Sequence, residues 1–203
     1  MRLIIWVLAL LLSAAPGFAQ APGKPGFGGG KPGAVEEPGV CNVQQRQLIE
    51  QAFRDALAMT RLSIQRLDRD PNLPEYRRWF GTAPVATVRG NLVLIANHLA
   101  TQRPPALFCN PPNACPQGRF AFVMTGSGGM GFCPLFFNAR NEGFDSRPGI
   151  VVHEVSHVAA RTRDIVYSPS RAATLAKDDP MSAAINADNY EYFVETAGAG
   201  ALR

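Results

Sequence analysis

The chain has 203 residues, of which 46% are hydrophobic and 18% are charged, and its formal net charge is +4 at pH 7. This length suits one domain with a substantial core, and the composition is that of a folded globular protein. The charge is too small to indicate binding to nucleic acid, so we expect no nucleic-acid partner.

The first 21 residues have the pattern of a secretory signal peptide. Arg2 precedes an apolar run from Leu3 to Leu12, and small residues follow at Ala19 and Ala21. The run is shorter than the roughly 20 apolar residues that span a bilayer. We therefore predict that residues 1–21 are removed and that the protein is secreted, to the periplasm or the medium, without a membrane span.

The next segment, 22–39, is rich in proline and glycine. The pair Pro-Gly occurs in it four times, and it contains almost nothing apolar to bury. Such a composition cannot offset the entropy that is lost on ordering, so we predict a flexible tether. A short activation peptide is the alternative, although the segment is too small to fold by itself as an inhibitor. The folded domain is assigned to residues 40–203.

The four cysteines of the chain are Cys41, Cys109, Cys115 and Cys133. An even number of cysteines in an exported protein indicates two disulfides. The sequence alone leaves three pairings open. A zinc cluster is the alternative, but the chain has no Cys-x-x-Cys pair.

The first helix is predicted to begin after Asn42, a suitable N-cap, and to run to about Leu67. Its apolar residues recur at helical spacing and form one stripe that should face the core. They are Ile49, Phe53, Leu57, Ile64 and Leu67. A second amphipathic segment, from about 86 to 101, contains His98, which we interpret as structural and keep as a reserve metal ligand.

The middle of the chain is predicted to form a small β-hairpin, because the runs FAFVM and GFCPLFF flank the glycine-rich turn TGSGGM. This turn is not a phosphate-binding loop, since no Gly-Lys-Ser or Gly-Lys-Thr follows it. Farther along, Ser146 and Pro148 are helix-start signals that predict a helix at about 149–160. Two further helices are predicted at about 170–177 and 180–196.

The predicted helix at 149–160 contains the pattern HEVSH. On a helix with about 3.6 residues per turn, His153 and His157 stand one turn apart on one face and can bind the same ion. Glu154 is turned to the side, where it can reach a water instead of the ion. The rest of the helix is apolar, and a buried helix rarely carries such a trio without partners. The motif therefore predicts a hydrolytic zinc centre with Glu154 as general base.

A catalytic zinc site needs a third protein ligand besides these two histidines. The pattern HExxHxxGxxH is excluded, because Ala160 and Arg163 occupy its glycine and third-histidine positions. Asp164, just beyond the end of the helix, is the nearest oxygen ligand. Glu191 or Glu195, on a later helix, would instead make the protein a gluzincin-like hydrolase.

Three stretches, HEVSH, TRDIVY and NADNYEYF, occur in the order found in the aspzincins, and the chain resembles this family of deuterolysin and peptidyl-Lys metalloendopeptidases. The family pattern is HExxH followed by GTxDxxYG. The resemblance implies that His153, His157 and Asp164 hold one zinc ion per chain. It also makes Glu154 the general base and Tyr167 the donor of a hydrogen bond to the oxyanion.

The sequence departs from the family pattern at two positions, because the flanking glycines are Arg161 and Ser168 here. The connection from His157 to Asp164 is also short. These departures concern the geometry of the turn and not the types of ligand.

The stretch NADNYEYF bears on substrate choice, since Asp188 and Glu191 are three residues apart and share a helical face. In peptidyl-Lys members of the family, matching acids hold the substrate's lysine on the amine side of the cut bond. Deuterolysin-like members are broader, but both acids are present here, so the resemblance implies a preference for lysine, with arginine as the alternative, just after the cut. The structural alternative for the two acids is a solvated helix face.

The resemblance also implies a fold, which is a mainly α domain with a small β-hairpin, an α+β fold of the zincin-like metalloprotease type. It implies a secreted, monomeric zinc endopeptidase that acts on proteins or peptides. The family's disulfide pairing implies Cys41 with Cys109 and Cys115 with Cys133. The alternative from another class is a secreted binding protein that keeps the fold without turnover.

Overall fold

The structure is a computed structural model that describes residues 39–124 and 126–202. The predicted signal peptide, 1–21, and residues 22–38 of the predicted tether lie outside the described residues. Gly39, which we assigned to the tether, already belongs to the first strand. In the part of the chain that is described, no helix combines the length and the apolar character needed to cross a membrane.

Helices account for most of the described chain, and four short strands lie between the third and fourth helices or just before the first. The helices are α1 (Val43–Arg69), α2 (Pro74–Phe80), α3 (Val85–Thr101), α4 (Pro134–Asn138), α5 (Arg147–Ala159), α6 (Pro169–Asp178), α7 (Pro180–Ala183) and α8 (Ala187–Ala197), followed by a 3-10 helix, Ala199–Leu202. The strands are β1 (Gly39–Val40), β2 (Leu107–Cys109), β3 (Ala121–Val123) and β4 (Met130–Phe132).

Helix α1 begins where the sequence predicts it to begin. The Asn42 side chain accepts a hydrogen bond from the Gln45 N–H at 2.8 Å, and the Gln45 side chain accepts one from the Asn42 N–H at 2.9 Å. This reciprocal cap satisfies two N–H groups at the start of the helix. The predicted apolar stripe faces the core, where Ile49 and Phe53 are buried.

The strands form one mixed sheet in the order β1-β2-β4-β3. The pair β3 and β4 is antiparallel and confirms the predicted hairpin. The sheet is larger than predicted, because β2 pairs with β4 in parallel and β1 pairs with β2 in antiparallel fashion. The expectation that the whole run GFCPLFF is β-rich is wrong in its second half, since Pro134 opens helix α4 there.

Two disulfides join distant parts of this sheet region. Cys41 is bonded to Cys109 and Cys115 to Cys133, which is the pairing that the family resemblance implies. The first links the residues before α1 to the end of β2, and the second links the loop before β3 to the residue before α4. Each such crosslink stabilises a domain by roughly 2–4 kcal/mol.

Helix α5 is central to the fold, since it contacts α1, α3, α8 and the edge strand β3. The single helix predicted at 180–196 is wrong, because the chain breaks between Ala183 and Ala187 into α7 and α8. The break frees the Asn186 side chain to bind the loop after α5. With this correction the domain is mainly α with a small mixed sheet, and the predicted α+β class is confirmed.

Candidate metal centre and acidic pocket

The HEVSH helix α5 is fixed at its N-terminus by a buried glutamate. The Ser146 side chain accepts a hydrogen bond from the Gly149 N–H at 3.1 Å. Ser146 in turn donates its own N–H and O–H to Glu195 Oε1, at 2.8 and 2.7 Å. Position 149 requires glycine, because a Cβ there would lie 2.1 Å from Glu195 Oε1. Burial raises the pKa of Glu195 well above its usual value, so this carboxyl group is protonated at neutral pH.

Two histidines and one aspartate converge at the open side of the helix. Asp164 Oδ1 lies 3.1 Å from His153 Nε2 and 3.3 Å from His157 Nε2. Two ligand atoms of one tetrahedral zinc ion, each about 2.05 Å from the metal, are about 3.3 Å from each other. The close approach of the His153 and His157 rings holds the pKa of Asp164 well below its usual range, so the carboxylate is anionic. The three ligand atoms lie within 4.8 Å of one another, and they fit a zinc ion in number and type.

The second ring nitrogen of each histidine is also engaged. His157 Nδ1 lies 3.0 Å from the Thr162 carbonyl oxygen, to which it donates when that nitrogen carries the proton. His153 Nδ1 lies 2.9 Å from Asp188 Oδ1 and 3.3 Å from Glu191 Oε2. Acceptors on the Nδ1 side leave the lone pair of Nε2 free for a metal and fix the orientation of both rings.

The ligand loop, residues 161–168, carries Asp164 and is held by the chain just before α8. Arg163 pairs with Asn186 in a parallel β-bridge. The Asn186 side-chain oxygen accepts hydrogen bonds from the N–H groups of Ile165 at 2.8 Å and Val166 at 3.2 Å. The position of the Asp164 carboxylate thus depends on a residue that lies more than 20 positions later in the chain.

The two family glycines that are replaced here still have glycine-like backbone angles. Arg161 has φ of 56°, and Ser168 has φ of 81° with ψ of 149°. Residues with a side chain rarely adopt a positive φ, and the combination of φ and ψ found at Ser168 is populated almost only by glycine. The Ser168 N–H nevertheless donates to Asp188 Oδ2 at 2.9 Å, which ties the end of the ligand loop to α8.

We expect Ser168→Gly to raise the free energy of unfolding by about 1 kcal/mol. Glycine removes a backbone cost of about 1–3 kcal/mol and adds about 0.5–1 kcal/mol of chain entropy in the unfolded state. The N–H that binds Asp188 is kept. Urea unfolding of the zinc-loaded protein measures the difference.

Thr174→Gly is the control, because Thr174 is an exposed residue in the middle of helix α6. Glycine inside a helix should lower stability by about 0.5 kcal/mol or more. If Ser168→Gly destabilises the protein as Thr174→Gly does, the strain assigned to position 168 is refuted.

Glu154 and Tyr167 lie on the same cavity as the three donor atoms. Glu154 is only 7% exposed, and burial raises the pKa of its carboxyl group. The Tyr167 ring lies parallel to the His153 ring, with 6.5 Å between the centroids. Burial and the neighbouring Asp164 raise the pKa of Tyr167 to about 12, so the phenol keeps its proton at neutral pH.

One cavity of about 770 Å³ contains this group of residues and a cluster of buried acids. Asp188 and Glu191 are 3% and 4% exposed, so the alternative of a solvated helix face is wrong. The Tyr192 hydroxyl lies 3.0 Å from Asp188 Oδ2 and 3.2 Å from Asp145 Oδ1, and so connects two acids. Within the described residues, Glu191 Oε1 has no hydrogen-bond partner.

Sequence reasoning missed Asp145 as a pocket residue. Asp145 is half-buried, has a left-handed φ of 54° and lines the same cavity as Asp188 and Glu191. The sequence did offer one signal for it: Asp145 comes directly before the N-cap Ser146, and so lies at the start of α5.

The structure also separates the candidate third ligands. Among the described residues, the groups that can hold a metal are His153 with His157 and Asp164, and His153 with Asp188 and Glu191. Glu191 therefore approaches His153 from the Nδ1 side and does not join His157. Glu195 and the reserve ligand His98 belong to neither group.

Comparisons with known proteins agree with this arrangement. A family model described as lysine-specific metallo-endopeptidase, the aspzincin family, matches residues 66–195. An extracellular protease of Aeromonas hydrophila is 34% identical over 169 residues, which are 80% of this chain and 47% of that protein. A peptidyl-Lys metalloendopeptidase of Pleurotus ostreatus is 36% identical over 123 residues, which are 59% of this chain and 72% of that protein.

A solved structure is similar as well. A zinc peptidase from Grifola frondosa superposes with a TM-score of 0.68 at 29% identity, covering 77% of this chain and 97% of that chain. The present chain spans about half the length of the Aeromonas relative. The matched family model covers most of the domain, including the HEVSH helix, the ligand loop and α8 up to Glu195. The chain therefore belongs to the aspzincins, the lysine-specific metallo-endopeptidase family.

Proposed function

We propose that the chain is a secreted zinc endopeptidase that cuts peptide bonds on the amino side of lysine. One observation carries the proposal: a single cavity is lined both by the three residues whose atoms suit zinc and by three acids. The acids are Asp145, Asp188 and Glu191. The names of the relatives, an extracellular protease and a peptidyl-Lys metalloendopeptidase, support both the export and the substrate class. We propose that the protein acts as a monomer on protein or peptide substrates.

His153, His157 and Asp164 are the residues that would hold the metal, with one ion per chain. When bound, zinc acts as a Lewis acid that lowers the pKa of a water and polarises the scissile carbonyl. The acceptors on the two Nδ1 atoms would keep both imidazoles in the tautomer that this requires.

Two residues of the chain would move or donate protons. Glu154 would accept a proton from the attacking water and deliver it to the leaving amine. Its burial keeps the carboxyl group away from bulk solvent, on the cavity that the two histidines also line. Tyr167, which stays protonated at neutral pH, would donate a hydrogen bond to the oxyanion that develops on the carbonyl.

The acidic end of the cavity fits a lysine side chain. A lysine ammonium has three N–H donors, and three carboxylates, of Asp145, Asp188 and Glu191, line this cavity. The unpartnered Oε1 of Glu191 is costly while it is buried. An ammonium group from the substrate would satisfy it. The guanidinium group of arginine has all its N–H donors in one plane, so it matches such a pocket less well than an ammonium group does.

The gluzincin-like alternative has less support. Glu191 lies on the wrong side of His153 to share an ion with His157. Glu195 is engaged by Ser146 at the N-terminus of α5. Neither glutamate is in place to serve as the third ligand.

Digestion of a denatured protein tests the proposed function directly. The purified protein is incubated with this substrate in the presence of zinc or of a zinc chelator, and the products are identified by mass spectrometry. Chelator-sensitive cuts clustered before lysine are the expected result. Cuts that are unrelated to residue type would refute the lysine pocket, and the absence of chelator-sensitive cleavage would favour a binding protein.

We expect Asp145→Asn to raise KM for a peptide with lysine just after the cut by about 3- to 10-fold, with kcat little changed. A hydrogen bond to a charged group contributes about 1.5–3 kcal/mol when it is fully desolvated, and Asp145 is only half-buried. Asparagine keeps the acceptor for Tyr192 and removes the charge. Asp145 makes no direct hydrogen bond to His153, so zinc content should not change.

The control for this variant is a peptide in which methionine replaces the lysine. Its KM should be the same for wild type and Asp145→Asn. An equal loss on both peptides would mean that Asp145 supports the site only through folding, and an unchanged KM for the lysine peptide would remove it from the pocket.

A further inference from the structure

The acidic end of the cavity has an excess of negative charge when no substrate is bound. Asp188 and Glu191 are buried, Asp145 is half-buried, and all three line the cavity. In the described parts of the chain, none of the three forms an ion pair with a lysine or an arginine. Buried carboxylates are costly unless a cation or enough hydrogen bonds compensate them. The lysine of a substrate supplies such a cation only while the substrate is present.

The hydrogen-bond donors around these acids are too few to satisfy them. The Tyr192 hydroxyl has one hydrogen, but its oxygen lies 3.2 Å from Asp145 Oδ1 and 3.0 Å from Asp188 Oδ2. The hydrogen on His153 Nδ1 is shared between Asp188 and Glu191. One backbone N–H binds Asp188. Among the described residues, Glu191 Oε1 has no partner, although Glu191 is only 4% exposed.

Oxygen atoms of the three acids lie close enough together to bind one ion. Asp188, Glu191 and His153 form a group whose ligand atoms lie within 4.8 Å of one another. The Tyr192 hydroxyl brings Asp145 close to Asp188, because it contacts both carboxylates. The last side-chain torsion of glutamate is soft, so Glu191 can turn its unpartnered oxygen toward the ion. Water can complete the coordination shell, since the cavity has a volume of about 770 Å³.

The available ligand atoms determine the class of cation. When Nε2 of His153 binds zinc, Nδ1 carries the hydrogen and cannot be a ligand. Carboxylate and hydroxyl oxygens remain, and these are the ligands of hard cations. Calcium accepts about 6–8 oxygens in flexible arrangements, whereas magnesium demands a nearly ideal octahedron. Carboxylates that come from the loop before α5 and from successive turns of α8 suit calcium better.

We propose that the substrate-free protein binds a calcium ion at the acidic end of the cavity, through Asp145, Asp188 and Glu191, and that the lysine side chain of a substrate displaces it. The ion site does not depend on peptidase activity, whereas the displacement rests on the proposed function. The same carboxylates serve both cations, so one excludes the other. Calcium is therefore a competitive inhibitor, which raises KM and leaves kcat unchanged.

Terbium luminescence tests the ion site without reference to activity. Terbium replaces calcium at oxygen sites and emits when a nearby aromatic ring transfers excitation energy to it. Tyr192 contacts two of the acids, and its ring centroid lies 5.2 Å from that of Trp79. Terbium is titrated into the zinc-loaded protein, and calcium is then added. We expect one saturable site, from which calcium displaces terbium with a Kd of about 0.1–1 mM, the range of weak oxygen sites.

Asp145→Asn should weaken calcium binding by about tenfold or more, because it removes one of the charged ligands that set the affinity. Zinc content, measured on the same sample, shows that the fold is kept. Glu142→Gln is the matched control, since it removes a charge from the same loop but is exposed and does not line the cavity. Equal affinities of Asp145→Asn and Glu142→Gln for calcium would refute the site.

Kinetics with a lysine-containing peptide test the displacement. A competitor raises the apparent KM by the factor 1 + [L]/Kd, so calcium at ten times its Kd should raise KM by about 11-fold. The value of kcat should not change. Magnesium at the same concentration controls for ionic strength and should leave KM close to its value in calcium-free buffer.

The outcomes separate this inference from the proposed function. If the protein cuts the peptide but binds neither terbium nor calcium, or binds calcium without a rise in KM, the inference is refuted and the proposed function stands. If it binds calcium as expected but cuts no peptide, the proposed function and the displacement are refuted, and the calcium site stands.

Discussion

Glu154→Gln should lower kcat/KM for a lysine-containing peptide by about 10²- to 10⁴-fold, the usual contribution of a general base. The amide has nearly the shape of the carboxylate but cannot accept the proton of the attacking water. Glu154 is in neither of the donor groups found in the described residues. Zinc content, measured by elemental analysis after dialysis, should therefore stay at the wild-type level.

Glu142→Gln is a suitable control, because Glu142 is an exposed residue of the loop before α5. This variant should retain full activity. Loss of zinc from Glu154→Gln would instead assign Glu154 to the metal, and undiminished turnover would exclude it as the base.

Asp164→Ala should abolish both zinc binding and peptidase activity. Loss of a group that only orients a ligand already weakens metal affinity by about 10- to 100-fold, so loss of a ligand should cost more than about 100-fold. The variant also leaves two imidazoles without the carboxylate that lies 3.1 and 3.3 Å from them. Competition with a chromophoric chelator measures the affinity.

Glu195→Gln distinguishes this result from the gluzincin-like alternative. Because burial favours the protonated carboxyl group of Glu195, an amide should replace it with little effect on zinc or activity. Its oxygen can still accept both hydrogen bonds from Ser146. If Asp164→Ala retained zinc while Glu195→Gln lost it, the assignment of the third ligand would be reversed.

Features that depend on neighbours within one helix could be predicted from the sequence. The cap at Asn42 and the apolar stripe of α1 are local, and the structure contains both. His153 and His157 are one helical turn apart, so their convergence follows once the helix is accepted. For the same reason Asp188 and Glu191 share a face, and both reach the same ring nitrogen of His153.

Features that depend on distant parts of the chain could not be predicted in this way. Strands of two or three residues, such as β1 and β2, have too few positions to show an alternating pattern. The break between α7 and α8 is stabilised by bonds from Asn186 to the loop after α5, and helical periodicity carries no sign of them. The path of the loop that carries Asp164 depends on Asn186, so only the family pattern identifies Asp164 as a ligand from the sequence.

The β-bridge between Arg163 and Asn186 connects the loop that carries Asp164 to the residues just before α8. Asp164 follows directly after the first of these residues, and Asp188 comes two positions after the second. If α8 moves when a cationic side chain enters the cavity, this bridge connects that movement to the carboxylate beside the imidazoles. By thermodynamic reciprocity, any gain in ion affinity caused by the occupied pocket equals the gain in side-chain affinity caused by the ion. We therefore expect a substitution in α8 that changes side-chain selectivity to change zinc affinity as well.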